Sequence, residues 1–84
     1  MTRGDAVLYA LLRCPKAGYT RLEVAANAGI KKSLIGYCLR ALRDEGMVEM
    51  FRVGRTIGYR LTTGGKAYLT SLLSSEARRH RKAL

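Results

Sequence analysis

Apolar positions recur along this chain first at helical spacing, then at strand spacing, then at helical spacing again. Val7, Leu8, Leu11 and Leu12 form one stripe and predict a helix over residues 5–13. Asp5 stands at its start as an N-cap or first-turn acid, and Pro15 and Gly18 lie beyond its end. Thr20 and Glu23 have the spacing of a capping box, and Tyr19 and Val24 that of a hydrophobic staple. A second, small-faced helix over 21–28 follows through Ala25, Ala26 and Ala28, and Gly29 ends it. Ile35, Cys38, Leu39 and Leu42 stand at i, i+3, i+4 and i+7 and predict a third helix over 32–45, closed by Gly46. Its opposite face carries Lys32, Ser33, Gly36, Tyr37 and Arg40.

The period then shortens to two. Val48, Met50 and Arg52 alternate with Glu49, Phe51 and Val53, and Ile57, Tyr59 and Leu61 alternate with Gly58, Arg60 and Thr62. With Gly54-Arg55 as the turn, this predicts a hairpin over 47–62, of strands 47–53 and 57–62. Thr62 or Thr63 then caps a last helix over 63–77, with Tyr68 or Leu69, Leu72 and Leu73 on its stripe. A basic tail, 78–84, follows. Two short helices meeting at a glycine form a helix-turn-helix, and the hairpin supplies a wing. The expected fold is mainly α with a small β-hairpin, a winged helix-turn-helix in one domain over 1–84.

Composition adds a partner class. The chain has 84 residues, 48% of them hydrophobic, so it is globular, but its core is thin. Sixteen Lys+Arg against six Asp+Glu give a net charge of +10, which favours a polyanion. Residues 1–30 carry +2, whereas 31–62 and 63–84 carry +4 each. The excess therefore falls on the third helix, the hairpin and the tail.

Other chemistries find no residues to carry them. No acid pair, Cys-His pair, metal cluster or glycine-rich phosphate loop is present, so an enzyme, a metal and a cofactor are not expected. Cys14 and Cys38 form no CxxC pair and read as an inert helix-end residue and a core residue. The lone His80 lies in the basic tail. No apolar run approaches membrane-spanning length and no signal peptide opens the chain, so a cytoplasmic location and no membrane association are expected.

From Leu22 through the third helix to Val48, and again in Tyr59-Arg60-Leu61-Thr62-Thr63-Gly64-Gly65-Lys66, the chain resembles winged-helix transcriptional regulators of the multiple-antibiotic-resistance and arsenical-resistance repressor groups. The resemblance covers roughly residues 5–73 and implies the winged fold and DNA binding. It names no subfamily, operator or effector. The chain departs from the family pattern at Leu34, where Thr or Ser is frequent, and at Gly36-Tyr37, where Ser-Arg is frequent. Those positions often meet bases, so a different base readout is implied. The arsenical group's cysteine pair is absent, since Cys38 stands alone.

Together these readings predict a sequence-specific regulator of double-stranded DNA, a repressor by expectation, acting as a homodimer. The third helix would enter the major groove through Lys31, Lys32, Ser33, Gly36, Tyr37 and Arg40. Arg52, Arg55, Thr56 and Arg60 of the wing would meet the minor groove or its phosphates, with Arg55 at the tip. Thr20 and Arg21 would hold a phosphate at free amides of the second helix. Leu8, Leu12, Leu69, Leu72 and Leu73 would form the dimer contact. The alternative is a winged-helix module that binds RNA or a protein within a larger assembly.

Overall fold

A computed structural model describes residues 2–83, without the side chains of Val53 and 76–83. The elements follow in the order α1 (Arg3–Leu12), α2 (Arg21–Ala28), α3 (Lys32–Asp44), β1 (Val48–Val53), β2 (Thr56–Leu61) and α4 (Thr63–Ala83). This is the helix-helix-helix-hairpin-helix order that the hydrophobic pattern predicts.

Most boundaries follow from local chemistry. The capping box of α2 is complete: Thr20 Oγ1 accepts from the Glu23 amide, and Glu23 Oε1 accepts from the Thr20 amide. Helix α3 ends with the Met47 amide on the Leu42 carbonyl and the Gly46 amide on the Arg43 carbonyl, which satisfy two of its last acceptors. All described residues at positive φ are glycines, Gly29 after α2, Gly46 after α3 and Gly54 in the hairpin turn. Val53 pairs with Thr56, so the loop is the two residues Gly54 and Arg55. Positive φ at the first of them alone is the signature of a type II′ turn, whose twist suits a hairpin.

Two ends differ from expectation. Helix α1 begins at Arg3, because the Thr2 hydroxyl, not Asp5, is the cap; it accepts from the Asp5 amide. Asp5 instead accepts from the Tyr68 hydroxyl at 2.9 Å, tying α1 to α4. Helix α4 runs to Ala83 rather than stopping near residue 77, so the backbone of 78–83 is helical; the side chains of 78–83, and Leu84 altogether, lie outside the described residues.

One core joins the elements. Val7, Leu8 and Leu11 of α1 pack with Val24 and Ala25, with Ile35, Leu39 and Leu42, with Val48 and Leu61, and with Leu69 of α4. Removing each larger side chain from water contributes about 1.5–3 kcal/mol. The expectation that Leu8 and Leu69 face a partner is therefore corrected: both are 1% exposed, consumed by the chain's own core. A helix stripe that is wider than its neighbour needs does not show which of its residues is innermost.

The hairpin is braced from its outer side. Tyr19 and Tyr59 exchange both backbone hydrogen bonds, at 2.8 and 3.1 Å, so the loop before α2 adds a one-residue third strand beside β2. The Phe51 ring lies against Gly18 and Gly58; a Cβ at either would come within 2.6 to 2.7 Å of ring carbons. A glycine within a strand pattern often marks such a close approach.

The Tyr68–Asp5 contact makes a pH prediction. The hydrogen bond to Asp5, ahead of burial, pushes the Tyr68 phenol above its ordinary value. A raised folded value means that the proton is held more tightly in the native chain. Stability from this contact is thus complete below about pH 10 and is lost as pH rises through the folded value. Urea midpoints of the parent chain should fall more steeply as pH rises above about 10 than those of Tyr68→Phe. Parallel profiles would contradict the linkage.

Candidate nucleic-acid interface

Helix α3 buries Ile35, Leu39 and Leu42, and this turns Ser33, Tyr37, Arg40 and Asp44 outward along one line at i, i+4, i+7 and i+11. Tyr37 is 85% exposed, an extreme value for an aromatic residue that the fold has no use for. Lys31, Lys32 and Ser33 are all exposed at the start of the helix. That end has no side-chain cap and no acid in its first turn. Its unsatisfied amides, the positive end of the helix dipole and two lysines make it attractive to an anion.

The start of α2 is different. Of the amides expected to hold a phosphate there, those of Thr20 and Glu23 are already bonded within the capping box. Glu23 also puts a carboxylate at that end, paired with Lys16 at 2.6 Å. The Lys16 ammonium, then the Thr20 amide, hold the Glu23 carboxyl below its usual range. The expectation of a free-amide phosphate site at Thr20 and Arg21 is corrected to that extent.

Arg21 itself is exposed, and its guanidinium reaches toward α3. Its Nη1 lies 3.9 Å from where a Cβ on Gly36 would sit, with nothing else within 4 Å of that point apart from the helix itself. Gly36 is not at positive φ, so α3 demands no glycine there. Within a helix it costs about 1 kcal/mol relative to alanine. Gly36 and Arg40 border two shallow concavities, one completed by Tyr37, Ala41 and Asp44, the other by Leu39, Arg43, Asp44 and Tyr59.

The wing arginines divide. By register, Met50 pairs with Tyr59 and Arg52 with Ile57, on the sheet face of Val48 and Leu61, which is the face toward α3. Arg52 is exposed there; Arg55 is exposed in the turn and Thr56 beside it. Arg60 belongs to the other face. Its Nε donates to Glu49 Oε1 at 2.6 Å and its guanidinium stacks 4.6 Å above the Phe51 ring. Arg60 is thus engaged by its cross-strand neighbours while its side chain stays half-exposed. Among the described residues the two ion pairs are Lys16–Glu23 and Arg60–Glu49. Arg21, Lys31, Lys32, Arg40, Arg52 and Arg55 thus have no carboxylate partner among them.

Sequence reasoning passed over several contributors. Asp44 gives the outer line of α3 an acidic end. Met50 and Ile57, 41% and 40% exposed, add apolar surface to the wing. Gly36 and Arg21 were each named from the sequence, but their juxtaposition was not, because helix packing, not spacing, brings them together. No group of three or more His, Cys, Asp and Glu gathers as a metal site among the described residues. No helix among them is long and apolar enough to cross a membrane. Leu12 and Leu73 are 47% and 45% exposed, with Leu72 half-buried between core and surface.

No protein-family model matches the sequence, and no curated protein matches it. Solved structures do match. The PcaV transcriptional regulator from Streptomyces coelicolor, solved with its natural ligand, is 28% identical with a TM-score of 0.81 over 100% of this chain and 60% of its own. A MarR family transcription regulator is 24% identical with a TM-score of 0.83 over 96% of this chain and 54% of its own. The homodimeric winged helix-turn-helix DNA-binding domain of a possible ArsR-family regulator from Mycobacterium bovis is 24% identical with a TM-score of 0.72, over 98% and 73%. The fold of this chain is the winged helix-turn-helix shared by these regulators. The chain spans little more than half the length of the first two.

Proposed function

We propose that this chain binds double-stranded DNA with sequence preference and regulates transcription, as a repressor and as a homodimer. The observation that carries the proposal is the unpaired, outward face of α3. It has two lysines at an uncapped helix start, a Tyr37 that is 85% exposed and an Arg40 without a carboxylate partner among the described residues, all within a winged helix-turn-helix. Lys31, Lys32 and the wing-tip Arg55 hold phosphates, with Arg52 and Thr56 beside the tip. Ser33, Tyr37 and Arg40 meet base edges in the major groove, and Gly36 lets the duplex come close. Leu12, Leu72 and Leu73 supply the apolar contact between copies. The homodimeric state of the similar mycobacterial domain supports that pairing.

Selection of bound sequences from a random duplex pool, run with a solution mass measurement, tests this. The expected result is a two-fold symmetric sequence whose half-sites are about one helical turn, 34–36 Å, apart, and a dimer mass. An unenriched pool, or preferential capture of structured RNA in competition, would favour the RNA-binding alternative. Arg55→Ala should weaken all duplexes alike and reduce the slope of log affinity against log salt by about 1. An unchanged slope would remove Arg55 from the contact.

A further inference from the structure

A basic residue at the first position of a helix ordinarily works with the free amides around it to hold a phosphate. At α2 that end is occupied. Glu23 bonds the Thr20 amide, Thr20 bonds the Glu23 amide, and the Glu23 carboxylate would confront an incoming phosphate. Lys16 is spent on Glu23. The uncapped, acid-free start of α3 is the better phosphate seat.

Arg21, the first residue of α2, reaches toward α3. Its Nη1 lies 3.9 Å from where a Cβ on Gly36 would sit, so an alanine methyl would only touch it, whereas a longer side chain would meet the guanidinium. Gly36 is in the interior of α3, exposed, and not required by backbone conformation or by packing within the chain. The helix would gain from alanine there. The space over Gly36 is bordered by the Arg21 guanidinium and is otherwise open apart from the helix itself. Arg40 lies one turn further along α3 and borders the same two concavities as Gly36.

We propose that Arg21 is a specificity-determining residue: seated over Gly36, it reads a guanine in the major groove beside the base pair read by Arg40. This rests on the duplex-binding role given above. The chemistry is the planar two-pronged donation of a guanidinium to O6 and N7, which an ammonium cannot copy with the same geometry. Gly36 is its positioning residue, since a long side chain there takes the place of the guanidinium.

The test measures the full chain and its variants on the selected duplex, on all its single-base-pair changes and on a random duplex, with melting temperatures in parallel. Arg21→Ala should cut the preference at one G·C pair by about 10–100-fold while random-duplex binding falls much less. Arg21→Lys should not restore that preference. Gly36→Leu should lose the same preference, with no further loss when combined with Arg21→Ala. Gly36→Ala should melt higher than the parent, since alanine favours the helix. An equal loss on every duplex that Arg21→Lys repairs would overturn the assignment in favour of a phosphate contact, and so would an unchanged preference in Arg21→Ala. Failure of the parent chain to bind any duplex would overturn both this assignment and the DNA-binding role beneath it.

Discussion

Replacing Gly65 by alanine should cost this chain about 3 kcal/mol or more and lower its melting temperature by about 12–24 °C. The cause is a backbone collision. A Cβ on Gly65 would run into the Met47 carbonyl oxygen, and the Leu61 side chain lies 3.3 Å away on another side. That carbonyl has no freedom to yield, because it accepts the Thr62 amide at 3.1 Å. The Thr62 hydroxyl fixes the same junction, donating to the Gly46 carbonyl at 2.6 Å and accepting from the Gly65 amide at 3.0 Å. The entry to β1 and the start of α4 are thus locked together. A chain of this length has only roughly 4–13 kcal/mol of stability in total, so the loss would leave a substantial unfolded fraction. Circular-dichroism melting of Gly65→Ala checks this. A melting temperature within about 3 °C of the parent would show that the junction can relax.

Arg40→Ala should leave folding intact and strip preference from one or two base pairs. Arg40 is exposed on the outer line of α3 and has no carboxylate partner among the described residues, so its removal takes nothing from the core. A guanidinium paired with a guanine discriminates by about 1–3 kcal/mol, a factor of roughly 5–150. The loss should appear on the selected duplex and not on a random one, in contrast to Arg55→Ala, which should weaken both. Equal losses on both duplexes would show that Arg40 serves as a phosphate contact.

The residues most legible in the sequence were those whose partners are close along the chain. The limits of α2 follow from Thr20, Glu23 and Gly29, all within ten positions, and the predicted range 21–28 matches Arg21–Ala28. The stripe Ile35, Leu39 and Leu42 points inward as spaced, which correctly leaves Tyr37 and Arg40 outside. Where a residue's partner lies far along the chain, the pattern misled. Asp5, read as an N-cap or a first-turn acid, is the first-turn acid, but its bond to Tyr68 of α4 had no local sign, and Thr2 is the cap. Leu8 and Leu69 looked available to a second copy, but each covers the other helices of its own chain. The Tyr19–Tyr59 bridge involves one residue on the loop side and so has no periodicity to detect. Gly58 within β2 was the one visible sign of the Phe51 ring packed upon it.

The charge of +10 takes on a definite arrangement in the fold. Lys16 and Arg60 are neutralised locally, while α3, the wing tip and Arg21 present cations without counterions among the described residues. Equilibrium binding of the parent chain to its selected duplex, a scrambled duplex and a structured RNA, over a series of salt concentrations, tests the central claim most directly. The account predicts a preference for the selected duplex of at least about 1000-fold, with log affinity falling linearly with log salt. Equal affinity for all three nucleic acids, or tighter binding to the RNA, would contradict it.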